Sequence, residues 1–127
     1  MKPIVQTLVT DNRSLEDGTP DGGSAVCLVP SGDVQLEVLR LRWQQGALVD
    51  PDTKQERPAN GVFLATVARV VVDRLEYYQS TKFACAENAE ALEHFRKGLA
   101  LLEKRANRRS GEGTLGTHEP DKKAPKS

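Results

Sequence analysis

Apolar residues recur along this chain with two different periods, and the change of period divides it. AVCLV at 25–29 is a short apolar run, and in VQLEVLRLRW at 34–43 the residues Val34, Leu36, Val38 and Arg40 alternate with Gln35, Glu37, Leu39 and Leu41. An imperfect period of two in β-branched and aromatic company predicts two strands. Gln44, Gln45 and Gly46 then supply a tight turn, and PDTKQERP at 51–58 reads as a loop. From VFLATVARVVVDRLEYYQ onward the period lengthens. Leu64, Ala68, Val71, Leu75 and Tyr78 follow one another at spacings of four, three, four and three, one face of a helix that Asn60 is placed to cap. Val70, Val71 and Val72 favour a strand on their own, but a stripe sustained over four turns outweighs them. In ENAEALEHFRKGLALLEKRANRR the face is Asn88, Leu92, Phe95, Leu99, Leu102, Ala106 and Arg109, with Gly111 as the stop signal. The link STKFACAE is short enough to force the two helices back on each other as a hairpin.

The expected fold is therefore α+β, a small N-terminal antiparallel β-sheet followed by a C-terminal two-helix hairpin. Residues 1–33 form an N-terminal arm with at most one strand, because SLEDGTPDGGS has turn chemistry throughout. Residues 34–59 hold the sheet and a loop, and 60–116 the hairpin. Residues 117–127, THEPDKKAPKS without the first turn of any periodic pattern, form a disordered tail.

Composition narrows the function classes. With 127 residues, 38% of them hydrophobic, and 10 Gly plus 7 Pro, the chain has room for one modest core and excludes a large enzyme fold. Eighteen basic residues balance 18 acidic ones, which argues against a DNA-coating or membrane-surface protein, so any anion site must be local. The charge is nonetheless uneven: the first 30 residues are net negative and the last 24 net positive. No apolar run approaches the ~20 residues of a membrane helix, and MKPIVQTLVT turns polar too soon for a signal peptide, so a cytosolic protein is expected. Cys27 and Cys85 are isolated and read as small apolar residues.

Catalytic groups are scarce. His94 stands on the second helix and His118 in the tail, no Ser or Cys has a base at motif spacing, and no glycine pattern spells a phosphate loop; no metal or cofactor is expected. The informative residues sit at the two ends of the long helical face. Arg105 and Arg109 are one turn apart, and two forked guanidiniums suit a phosphate or pyrophosphate; the alternative is a solvated helix end whose cations complement the dipole. At the opposite end, Tyr77 and Tyr78 close the first helix and Asn88 opens the second. A tyrosine ring can stack on a base and an Asn amide can read an adenine edge, the alternatives being core packing and helix capping. Asn88 and Arg109 lie roughly 30 Å apart at ~1.5 Å per residue, so a small ligand touching both needs two subunits.

The order of a WQQG turn, a loop ending in NG, DRLEYYQ, F-x-C-x-E-N-x-x-A-L, L-x-x-R-x-x-R-R and G-T-L-G-T-H-E resembles the phage Thoeris anti-defence sponges, which share a helical hairpin with phage anti-CBASS sponges. The match runs over about residues 39–118 and is most specific from Asp73 to His118. The resemblance implies a homo-oligomer, a dimer or a hexamer built as a trimer of dimers, in the cytoplasm of the infected bacterial host. It further implies binding of cyclic nucleotide signalling molecules without cleavage: cyclic ADP-ribose isomers, and in some members the cyclic di- and trinucleotides of CBASS. Neither nucleic acid nor membrane is an expected partner. By resemblance, Tyr78 matches the stacking aromatic, Asn88 the base-contacting amide, and Arg105 and Arg109 the phosphate-contacting pair. Arg74, Phe83, Arg108 and Thr117 lie in the same motifs and are further candidate ligand contacts. The rival readings are a small nucleic-acid-binding module and a purely structural hairpin.

Overall fold

A computed structural model describes residues 5–112, 117 and 118 of the chain, without the side chains of 110–112. The expected tail falls outside these residues except for its first two. The strands are β1 (Thr7–Ser14), β2 (Pro20–Ser31) and β3 (Val34–Arg42), and the helices α1 (Leu64–Gln79) and α2 (Ala86–Glu112). The α+β class holds, with a three-stranded antiparallel sheet in the order β1-β2-β3 ahead of the helical pair. Two compact units meet between Val62 and Phe63.

The N-terminal arm needs correction, because residues 7–31 contribute two of the three strands. Turn chemistry in SLEDGTPDGGS is used only over Leu15–Thr19, where Leu15 N–H donates to Thr19 O at 2.9 Å and Thr19 N–H to Asp17 Oδ1 at 2.9 Å. The rest of the segment is recruited by its neighbours: Gly23 pairs with Asn12, and Ser24 pairs with both Asp11 and Arg42. Inter-strand hydrogen bonds override local turn preference here. Gly23 is itself required, since a Cβ would stand 2.0 Å from Asp11 O.

The imperfect alternation in β3 has a physical cause. Cys27 pairs with Leu39 but Leu28 pairs with Glu37, so Val38 is an extra residue in β3. Such a bulge shifts the phase of the side chains by one. It brings Val34 and Leu36 onto the face of Leu39 and Leu41, beside Leu8, Ala25 and Cys27 from the other strands. The opposite, more polar face carries Asp11, Arg13, Ser24, Glu37, Arg40 and Arg42 alongside Val9, Val26 and Leu28. The first face buries Ala25 while leaving Leu8, Leu36 and Leu39 exposed.

Beyond β3 the chain is tied down by a corner. Trp43 N–H donates to Gly23 O at 3.0 Å, Gly22 N–H to Gln44 O at 3.0 Å, and Val62 N–H to Arg42 O at 2.7 Å. Asn60, expected as a helix cap, does not cap α1, whose N-cap is Phe63 with no side-chain bond. Its Oδ1 accepts from Gln45 N–H at 2.9 Å, its Nδ2 donates to Gln45 O at 2.9 Å, and its own N–H donates to Gln44 Oε1 at 2.9 Å. The amide serves the WQQG turn because the backbone groups of Gln45 have no strand partner. A Cβ on Gly61 would lie 2.5 Å from the Trp43 carbonyl carbon.

The loop between is ordered around Asp50. Its Oδ1 accepts from Asp52 N–H at 2.8 Å and Thr53 N–H at 3.1 Å, and Arg57 Nη2 donates to Oδ2 at 2.5 Å. These bonds, that from Thr53 foremost and then that from Arg57, lower the Asp50 pKa to about 2.

In the hairpin, Val72 of α1 and Leu92 of α2 are buried, with Ala68, Val71, Leu75, Leu99, Leu102 and Ala106 half-buried beside them. Leu64, Tyr78 and Phe95 of the expected stripes are exposed, because a helix packed on a single partner buries a narrower strip than one facing a full core. Across the seam, Arg96 Nη2 pairs with Glu76 at 3.2 Å and Arg69 Nε with Glu103 at 3.5 Å, fixing an antiparallel alignment.

Gly61→Ala should cost about 1–3 kcal/mol in a denaturant titration, because the methyl group meets fixed backbone. Acid should loosen the Asp50 loop specifically. The carboxylate's folded pKa is below its unfolded value near ~3.9, so its contribution is present above that value and is lost as pH falls towards about 2. Amide exchange at Asp52 and Thr53 should accelerate, relative to the sheet, across that window.

Candidate ligand site at the two ends of the helical hairpin

Tight hydrogen bonding builds the hairpin tip between α1 and α2. Ser80 caps α1 by donating its N–H to Glu76 O at 3.2 Å and Tyr77 O at 3.0 Å, while Thr81 Oγ1 donates to Tyr78 O at 2.7 Å. Gln79 closes the loop from the other side: its Nε2 donates to Cys85 O at 3.1 Å and its Oε1 accepts from Cys85 N–H at 3.1 Å. Cys85 O also accepts the first helical bond of α2, from Ala89 N–H at 3.1 Å. One side-chain amide thus fixes the start of α2 to the end of α1. Gln79 was missed by sequence reasoning, and its only signal was a glutamine at a helix end six residues before the next helix.

Held on this frame are Tyr77, Tyr78 and Phe83, all exposed, and Asn88, half-buried. Asn88 is the third residue of α2 and not its cap. The ring centroids of Tyr77 and Tyr78 are 6.2 Å apart and tilted by 45°. Arg74, one turn earlier, places its guanidinium carbon 4.9 Å from the Tyr78 centroid and 5.1 Å from that of Tyr77. The Tyr78 side chain beside it, chiefly through a hydrogen bond, pushes the Arg74 pKa further up, so this cation is permanent. A cation against the tyrosine ring orients it and draws electron density from it. The tip is an aromatic platform with a fixed positive charge and an amide nearby.

The other cluster lies at the far end of α2. Arg105 is exposed, Arg108 half-buried, and Arg109 buried at 5% exposure, its Nη2 donating to Thr117 O at 3.2 Å. The two arginines one turn apart are therefore not equivalent. Arg109 is anchored by returning chain, while Arg105 reaches solvent. Because α2 runs without a break from Ala86 to Glu112, Asn88 and Arg109 are separated by roughly 30 Å at ~1.5 Å per residue. The structure groups Arg74, Tyr78, Phe83 and Asn88 at the tip, groups Arg105, Arg108, Arg109 and Thr117 at the base, and does not bring the groups together within one hairpin.

His94 is exposed, with Nε2 3.8 Å from Glu90 Oε1, and His118 is exposed as well. Among the described residues no group of three or more His, Cys, Asp and Glu could hold a metal ion, and no helix is long and apolar enough to cross a membrane.

A small sheet followed by a two-helix hairpin, with tyrosines and an amide at one end of the longer helix and arginines at the other, has a counterpart among known proteins. Residues 40–106 match the family described as the Acb2/Tad1 hairpin domain, more than half of the chain, and the chain belongs to that family. A protein named "Thoeris anti-defense 1", from Bacillus phage SBSphiJ7, is similar, with 41% identity over 64 residues. The aligned stretch is 50% of this chain and 45% of that relative. Arg74, Tyr78, Phe83, Asn88 and Arg105 lie inside the family match, and Arg109 lies three residues beyond it.

Replacing Gln79 by Ala should remove both bonds to Cys85 and destabilise the hairpin by about 1–3 kcal/mol in urea unfolding. Chemical-shift changes should be centred on Cys85 and the first turn of α2, with the sheet signals unmoved.

Proposed function

We propose that this protein is a phage anti-defence sponge that sequesters cyclic nucleotide immune signals, cyclic ADP-ribose isomers first and CBASS cyclic di- or trinucleotides second, and does not degrade them. The observation that carries the reading is the Arg74–Tyr78 platform beside Asn88 at the tip of a family-matched hairpin whose far end presents Arg105. Tyr78 stacks on adenine, Asn88 hydrogen-bonds the base edge or ribose, and Arg105 with Arg109 clamps the pyrophosphate. The similarity to the phage protein "Thoeris anti-defense 1" supports the anti-defence role.

The 30 Å gap gives the site its architecture. The tip of one hairpin meets the base of another, so the ligand lies between two copies of the chain in a dimer or a trimer of dimers. Exposed apolar side chains on both units, among them Leu36, Leu39, Val70, Phe95 and Leu101, supply surface for such assembly. A sponge works by mass action, and nanomolar capture corresponds to about −12 kcal/mol, which a preorganised pocket can reach with one stacked base and two bidentate arginines. The protein acts in the cytoplasm of the infected host, where the signal is made.

A cyclic ADP-ribose isomer should raise the thermal midpoint of the purified protein and be recovered chemically unchanged after heat denaturation. Silence across a panel of cyclic ADP-ribose isomers and cyclic di- and trinucleotides would leave a structural hairpin. Tyr78→Ala should weaken binding by ~1–3 kcal/mol in calorimetry, while Tyr78→Phe should bind as wild type does. Arg105→Ala is the cleaner test of the phosphate clamp, because Arg109→Ala also removes the anchor to Thr117. Mixing Tyr78→Ala chains with Arg105→Ala chains should restore part of the binding each lacks, and two inactive pools that stay inactive after exchange would refute the shared pocket.

A further inference from the structure

The polar face of the sheet carries a second concentration of guanidiniums, wholly within the first unit. Arg13 of β1 and Arg40 and Arg42 of β3 surround a cleft of about 240 Å³ that Asp11 and Trp43 also line. The register explains the convergence: Asp11 and Arg42 both pair with Ser24 of β2, and Arg40 stands across from Val26. Two residues apart on one strand, Arg40 and Arg42 have backbones about 7 Å apart on the same face. The floor is backbone at Gly23, where no Cβ fits.

The neighbouring carboxylates orient two of the three cations without covering them. Arg13 reaches Asp11 Oδ2 through Nε at 2.9 Å, and Arg40 reaches Glu37 Oε1 through Nε at 2.5 Å. Contact through Nε leaves the terminal amino groups of both forks available. Arg42 has no ion-pair partner among the described residues, and its positive neighbour on the same face is a repulsion that folding alone does not require. A chain with no net charge has gathered cations at one small concavity, and the donors are of the type that binds phosphate oxygens in pairs.

We propose that this cleft is an anion site for a small organic diphosphate, with Arg40 and Arg42 on adjacent phosphoryl groups and Arg13 closing the third side. The volume lies below the ~300 Å³ at which small-molecule pockets usually begin, which favours a compact diphosphate group over a larger ligand. A nucleic-acid backbone is disfavoured because the surrounding chain offers it no continuous positive track. The site shares no residue with the hairpin clusters and does not depend on what they bind.

Trp43 is the sole tryptophan and lines the cleft, so it can report occupancy. The intact protein would be titrated with inorganic pyrophosphate at constant ionic strength, following tryptophan fluorescence and heat together, in wild type, Arg42→Gln and Arg105→Gln. The expected result is saturable binding in wild type and Arg105→Gln that weakens at least tenfold in Arg42→Gln, with the hairpin ligand still bound normally by Arg42→Gln. Three results would overturn the assignment: no saturable signal by either method, a titration unaffected by Arg42→Gln, or one abolished by Arg105→Gln, which would send all the pyrophosphate to the hairpin. Retained pyrophosphate binding with no cyclic nucleotide binding would remove the sponge reading and leave this site standing.

Discussion

Continuous backbone hydrogen bonding along α2 is the constraint from which the arrangement of the hairpin follows. A helix of 27 residues is about 40 Å long and does not fold back on itself, so whatever stands in its first turn and its last turn stays apart. α1 is shorter, 16 residues, and its end fixes the tip beside the start of α2. The pairs Arg96–Glu76 and Arg69–Glu103 lock that alignment along the seam. Tyr78 and Asn88 are thereby committed to one pole and Arg105 and Arg109 to the other. Under the proposed function such a rod offers half a pocket at each end, and a pairing of two rods completes both halves.

The interior is thin for a chain of this length. Among the described residues only Ala25, Val72 and Leu92 are buried apolar positions, while large side chains on the sheet and both helices remain in contact with solvent. Each buried aliphatic side chain contributes only about 1.5–3 kcal/mol against the entropy of ordering its neighbours. Order is therefore carried to an unusual degree by polar locks. Asn60 on the WQQG turn, Asp50 within its loop and Gln79 on Cys85 each bond backbone groups that lie outside the regular elements. Under the proposed assembly, the exposed apolar surface is what a neighbouring copy covers.

Arg74 illustrates how a residue of a surface helix acquires a role through its neighbours. On sequence it is one cation in an amphipathic stripe; in the structure it lies against two tyrosine rings and touches no carboxylate ion pair among the described residues. The Tyr78 ring is held from one side, which leaves the question of ligand stacking to its other surface. The contrast between Arg105 and Arg109 is of the same kind: one turn apart on a helix, they differ in burial, Arg109 being buried with a bond to Thr117 O and Arg105 exposed.

The fold class and both helices were legible in the sequence, because the hydrophobic period of a helix is set by local geometry and needs no knowledge of the partner. The separation of Asn88 from Arg109 was legible for the same reason, since spacing along one helix converts directly to distance. What the sequence read incorrectly were features decided by pairing. Gly23 and Ser24 have every mark of a turn, yet they are strand because β1 pairs with them on one side and Arg42 and Trp43 on the other. The broken alternation of β3 became intelligible only as a bulge at Val38, and Asn60 left its expected cap because Gln45, 15 residues away, has backbone groups that no strand pairs. Helical periodicity is written within one segment, whereas strand register, side-chain locks and the cluster of Arg13 with Arg40 and Arg42 depend on which distant segment lies alongside, and only the tertiary structure decides that.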